Sequence, residues 1–217
     1  HILPQARELF KPLASFTLVV FGVVAIYDYA KAMGQLFVPW ALAVYIVSMA
    51  VEILGVATGR VFGPYHYSSV LGPGLEGVPF VIGFNWIVVV LGSSAVARGI
   101  GMRGIPAILV TGLAAAAFDW VMEPAAMLLD YWAWDVSPIP LRNYVVWAIL
   151  AMAAAALLAW IETARLREPA GLDRARLVVG GYLMIQLAYF IAIRLFFPHD
   201  FASVGAMLGR FAFGGLS

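Results

Sequence analysis

Residues 36–57 read LFVPWALAVYIVSMAVEILGVA, 22 positions with a single charge, Glu52. About 20 apolar residues span the hydrocarbon core of a bilayer as a helix. A helix satisfies all of its backbone N–H and C=O groups within the segment, which lipid demands and a lone extended strand cannot supply. The stretch is therefore a membrane helix with an acid inside it. A carboxylate in hydrocarbon is costly unless paired, hydrogen-bonded or protonated, so Glu52 marks a candidate functional site.

Working outward, five further stretches have the same character: Leu13–Ala30, Val78–Ala97, Gly104–Met122, Asn143–Thr163 and Leu177–Phe197. The expected fold is all-α, a polytopic integral membrane bundle of six helices forming one transmembrane domain over residues 1–217. The Gly-rich tail Pro198–Ser217 reads as interfacial, with a short seventh helix as the alternative. Composition agrees: 64% of the chain is hydrophobic and 12% charged, against about 25% charged in soluble domains. There are no cysteines, so a disulfide framework or a thiolate metal site is excluded. His1, His66 and His199 are scattered and form no HExxH pair, so no metal is expected. A net charge of +1 leaves no electrostatic footprint for nucleic acid.

Two connections are long, 58–77 and 124–142, and both are rich in Gly, Pro and aromatics. Two helices separate them, so they share one side of the membrane. Lys31, Arg98, Arg103, Arg165, Arg167, Arg174 and Arg176 fall on the other side, which the positive-inside rule reads as cytoplasmic. Asp28 is expected to form an interfacial ion pair with Lys31. Trp40, Trp120, Trp132, Trp134 and Trp160 mostly fit an aromatic belt. Tyr182, Gln186 and Tyr189 form a polar stripe, read equally well as helix–helix hydrogen bonding.

Glu52, Gly55 and Gly59 follow the 3-to-4 spacing of one helix face. The glycines would let a neighbouring helix or a ligand approach the face that carries the acid. A plain small-residue packing seam is the competing reading. Asp119 and Glu123 also share a face. Pro124 disfavours helical geometry at Glu123, which puts the pair at or near a helix end. Two neighbouring carboxylates in low dielectric cannot both ionise cheaply, so one is expected to keep its proton, as a general acid must. A water-exposed interfacial pair stands as an equal alternative.

The two acidic regions run in parallel. Glu52 precedes Tyr65-His66-Tyr67, Val78-Pro79 and Asn85-Trp86; Asp119 and Glu123 precede Trp132-Ala133-Trp134, Ile139-Pro140, Asn143 and Trp147. An internal repeat with a site at its interface is one reading. The other is the plain preference of Pro and Trp for helix starts and interfaces.

The pattern Glu52-x-x-Gly55-x-x-Thr58-Gly59-x-x-Phe62-Gly63-x-Tyr65-x-Tyr67, then Leu71-Gly72 and Gly77-Val78-Pro79, resembles the membrane carotenoid-biosynthesis proteins of the carotenoid 1,2-hydratase and bisanhydrobacterioruberin-hydratase type. A second block agrees: Asp119-x-x-x-Glu123-Pro124-Ala125, Tyr131-Trp132-x-Trp134, Ile139-Pro140-Leu141-x-Asn143-Tyr144-x-x-Trp147. The chain departs from the family's expected pattern at Glu123-Pro124, where Asp-Pro is usual, and at Arg142, where a small polar residue is usual.

The resemblance implies a hydro-lyase that adds water across the terminal isopropylidene double bond of a linear carotene without a cofactor. It implies Asp119, Glu52 and Glu123 as catalytic acids, with Asp119 as donor and Glu52 or Glu123 orienting water. Tyr65, Tyr67, Trp132, Trp134, Asn85, Asn143, Gly55 and Gly59 are the implied substrate contacts. The implied setting is a bacterial or archaeal cytoplasmic membrane. The implied partners are the carotenoid, lipid, and other carotenoid enzymes or a second copy of the chain. A carotenoid end-group cyclase and a proton-coupled carrier are the competing functions.

Overall fold

The computed structural model describes residues 19–163 and 170–196. The expected tail helix, His1, His199 and the first residues of the first expected span lie outside them. Helix α1 is described over residues 19–33, and a 3-10 turn, Gly34–Leu36, leads into α2, Phe37–Thr58. Then follow α3 (Phe80–Gly99), α4 (Gly104–Leu128), α5 (Leu141–Thr163) and α6 (Leu172–Phe196).

By length and apolar composition, five described segments can cross a membrane, the first being Val19–Thr58 taken whole. Two of the expected spans fall within that 40-residue segment. A straight helix of 40 residues would be about 60 Å long, twice the hydrocarbon thickness. The chain instead turns at Gly34, whose φ of 58° few other residues adopt. Contacts on either side show the reversal. Gly22 faces Phe84 and Val88 in the first half of α3, whereas Tyr29 bonds Glu162 at the far end of α5. Along α2, Trp40 bonds Ala154 and Glu52 meets Trp86, so α2 runs back the other way.

Helix α3 is the centre of the bundle. The most apolar window of α3 is 78% buried, against 28–39% in the other spans. It packs on α2, α4, α5 and α6. Small residues permit close approach: Gly92 sits under Leu183 of α6, and Gly112 of α4 sits under Met152 of α5. The outer faces carry exposed Leu42, Ile46, Leu113, Ile149 and Leu195. Such apolar surface suits lipid rather than water.

On one side of the bundle the two long connections form a shared cap. Strand β1 (Tyr65–Tyr67) pairs antiparallel with β4 (Trp132–Trp134), with Tyr65 opposite Trp134 and Tyr67 opposite Trp132. Strands β2 (Gly74–Leu75) and β3 (Val78–Pro79) form a small hairpin leading into α3. Backbone bonds from Ser68 N to Tyr131 O (2.9 Å) and from Asp135 N to Pro64 O (3.0 Å) extend the seam. Arg142, at the start of α5, donates to the carbonyls of Gly59 (2.7 Å) and Phe62 (3.2 Å), pinning the turn after α2.

Three expectations change. Helix α4 runs through Pro124 to Leu128, so Asp119 and Glu123 lie inside it and not at its end. Proline removes the N–H that would bond the carbonyl four residues back. That carbonyl belongs to Trp120, and Arg194 of α6 donates to it at 3.4 Å while lying over the Trp120 ring. Asp28 pairs with Arg174 of α6 (3.2 Å), not with Lys31. Trp40 is buried inside the bundle rather than in an interfacial belt, because its indole N–H finds the Ala154 carbonyl of α5.

Candidate active site

Four helices and the cap converge on one enclosed point. Helix α2 brings Glu52, α3 Asn85 and Trp86, α4 Asp119 and Glu123, and α5 Asn143 and Trp147. The paired strands supply Tyr65 and Tyr67 from β1 and Trp132 and Trp134 from β4. Together they line a cavity of about 30 Å³, room for one or two waters at roughly 10–15 Å³ each. The lining contains no Lys, Arg or His.

The acids are buried: Glu52 and Glu123 are each 3% exposed and Asp119 is fully enclosed. This removes the reading of Asp119 and Glu123 as a water-exposed pair. The polar lining is arranged around the three carboxyls. Glu52 Oε2 accepts from Tyr65 Oη (2.5 Å) and Tyr67 Oη (2.9 Å), and its Oε1 accepts from Trp86 Nε1 (3.0 Å). Glu123 Oε2 accepts from Trp132 Nε1 (2.9 Å) and Trp134 Nε1 (2.8 Å). Asn143 Nδ2 donates to Asp119 Oδ2 at 2.6 Å and reaches Glu123 Oε1 at 3.4 Å. Asp119 Oδ1 is buried with no hydrogen-bond partner among the described residues.

Pairing the strands is what aims these donors. Side chains alternate along a strand, so residues two apart share a face. Tyr65 and Tyr67 thus point together at Glu52, and Trp132 and Trp134 at Glu123. Burial, and next the Glu52 carboxylate, hold the Tyr65 and Tyr67 phenols well above their ordinary range, so both remain donors. The aromatic wall is tightly connected: Tyr65 lies 5.2 Å from Trp134, and Trp86 stacks on Trp147 at 4.1 Å.

Nine expected residues line the cavity: Glu52, Asp119, Glu123, Tyr65, Tyr67, Trp132, Trp134, Asn85 and Asn143. Gly55 and Gly59 lie outside it. A Cβ at Gly55 would strike the Phe62 ring at 2.7 Å, so this glycine admits the chain's own cap. Gly59 caps α2 in the left-handed region, φ 62°, with its N–H bonded to the Gly55 carbonyl. Trp86, Trp147, Phe62, Ile82 and Met122 also line the cavity; the first three stand in the quoted sequence patterns without an assigned role. Trp86 carried one usable signal: an indole N–H beside Asn85, one helix away from an acid that needs donors. His66 pairs with Asp135 at 3.2 Å on the exposed face of the cap.

The model of a family described as "Carotenoid biosynthesis protein" matches residues 13–210. The chain belongs to this family. The match takes in all six described helices and the cap that completes the cavity. The chain is also similar to bisanhydrobacterioruberin hydratase of Haloarcula japonica, 28% identical over 122 residues. That alignment covers 50% of this chain and 40% of the relative, so this chain corresponds to less than half of the relative's length. No solved structure matches the chain. With its apolar helices and its family, this is an integral membrane protein of carotenoid biosynthesis.

Proposed function

We propose that the protein hydrates the terminal isopropylidene double bond of a linear carotene, giving a tertiary alcohol. The observation that carries this reading is Asp119 Oδ1, a buried carboxyl oxygen without a partner in a water-sized cavity. The similarity to a protein named as a hydratase adds support.

In this reading Asp119 carries the proton on Oδ1. The alkene π pair takes that proton at the carbon bearing one hydrogen, and positive charge develops on the dimethyl carbon. Electron-rich faces of Tyr65, Tyr67, Trp132 and Trp134 stabilise the cation. A water in the cavity adds through oxygen to the cationic carbon. Glu123 accepts the proton released from that water and returns it to Asp119 through a further water, while Asn143 Nδ2 donates to both carboxyls and holds them together. Atoms balance as alkene plus water to alcohol. Glu52 accepts three donors already and acts as the fixed acceptor that orients the tyrosines.

The 30 Å³ cavity holds water but not the dimethyl end of a polyene. Entry of the alkene therefore requires side chains to move. An apolar groove of about 160 Å³ between α2 and α5 shares Trp86 with the cavity and supplies an approach from lipid. Rotation of Trp86 would join the two spaces.

The test is co-expression with a linear carotene precursor. A more polar product heavier by one water supports hydration. A product of unchanged mass would mean that the cation is captured by the chain's own double bond, which is cyclisation. No conversion of any linear carotene sinks both enzymatic readings.

A further inference from the structure

The face opposite the acids holds a second cavity, about 320 Å³, between α3 and α6. Its mouth is formed by Arg98 at the end of α3, Arg103 before α4, and Arg176 in the second turn of α6. Farther in, the walls are Ala95, Leu177 and Met184. Arg176 and Met184 are eight residues apart on α6, so the cavity runs about 12 Å into the apolar span. It is basic at the membrane surface and apolar below.

Two carboxylates sit among these arginines. Glu162 takes Arg98 at 2.9 Å and Arg176 at 3.3 Å, and Asp173 takes Arg176 at 3.4 Å. Arg103 donates to the carbonyls of Arg98 and Met102, and no described carboxylate bonds it. Arg98 Nε is buried without a partner among the described residues. The room comes from glycine: a Cβ at Gly99 or Gly181 would meet nothing within 4 Å.

We propose that this cavity binds an anionic phosphate group, carried by a lipid of net negative charge whose headgroup sits among the arginines and whose first acyl carbons follow α6. Basic pockets between membrane helices suit anionic headgroups. The amphipathic depth favours a lipid over free phosphate, because a bare anion gains nothing from the apolar walls.

The test uses the full chain, purified and delipidated in detergent. Thermal unfolding is followed with phosphatidylglycerol, phosphatidylcholine or inorganic phosphate. Phosphatidylglycerol should raise the melting temperature and phosphatidylcholine should not. Gly181→Leu places a side chain in the cavity, its Cβ meeting nothing within 4 Å, and should abolish the shift while melting normally on its own. Arg103→Gln, on an exposed side chain, should weaken binding about fivefold. Protection by inorganic phosphate that both variants lose would support the anion site and assign free phosphate as its source. Absence of protection by either anion overturns the proposal. Equal protection by both lipids, or protection intact in both variants, overturns it too.

Discussion

Glu52 and Glu123 occupy matching places in two similar half-sites. Each lies on a helix that leads into the cap, and each accepts two bonds from alternate residues of the strand that follows. Each gains a further donor from another helix, Trp86 for Glu52 and Asn143 for Glu123. The strands pair antiparallel about His66 and Ala133, and Trp86 stacks on Trp147 across the middle. The halves differ one turn earlier. Four residues before Glu123 stands Asp119; four before Glu52 stands Ser48. Ser48 bonds its own helix at the Tyr45 carbonyl, whereas Asp119 keeps a buried oxygen without a partner. One half holds a satisfied carboxylate, and the other adds a spare acid. In our reading that addition turns a structural hydrogen-bond cluster into a reactive one.

The strongest test of this asymmetry is Asp119→Asn. It keeps the shape and removes the proton, and should lower conversion of a linear carotene by roughly 100- to 10,000-fold. Ser48→Ala at the matching place should leave turnover near that of the unaltered chain. Product chromatography, normalised to membrane-inserted protein, compares the two; equal effects would dissolve the distinction.

Glu52→Gln probes the satisfied half. The amide nitrogen would face donors instead of accepting from them, leaving a buried group unmatched at about 1–3 kcal/mol. A lower melting temperature in detergent and a loss of conversion should appear together. Full activity would remove Glu52 from the site.

Gly63→Ala strikes the seam between the halves. Its φ is 141°, and a Cβ there would lie 2.8 Å from Pro140 and 2.9 Å from Trp134. A loss of about 1–3 kcal/mol in stability is expected, with looser cap strands read by hydrogen exchange. The smallest effect is expected from Arg194→Ala. It leaves the Trp120 carbonyl opposite Pro124 without its donor, for about 1 kcal/mol in a melting experiment.

Much of this was legible from the chain alone. A run of apolar residues has few ways to satisfy its backbone in lipid, so the spans at 36–57, 78–97 and 143–163 fall within three residues of α2, α3 and α5. Boundaries that depend on a distant partner were not legible. Helix α4 continues past Pro124 with Arg194, 70 residues away, at the exposed carbonyl. Helix α6 begins at Leu172, five residues before its apolar run, because Arg174 and Arg176 are helical and tied to Asp28 and Glu162 on other segments.

The candidate site divides in the same way. Residue type and one-turn spacing marked Glu52, Asp119 and Glu123 as acids that lipid does not tolerate unaided, and set Asp119 beside Glu123. The strands that put Tyr65 and Tyr67 on one face, and Trp132 and Trp134 on one face, were not legible, because both segments read as connections. Only the tertiary structure decided which donors serve which acid, that Gly55 faces the cap rather than a ligand, and that Trp86 and Trp147 close the cavity. The reason is physical. Local periodicity sets directions within one element, but satisfying a buried carboxyl depends on donors from other elements, which only packing brings within 3 Å.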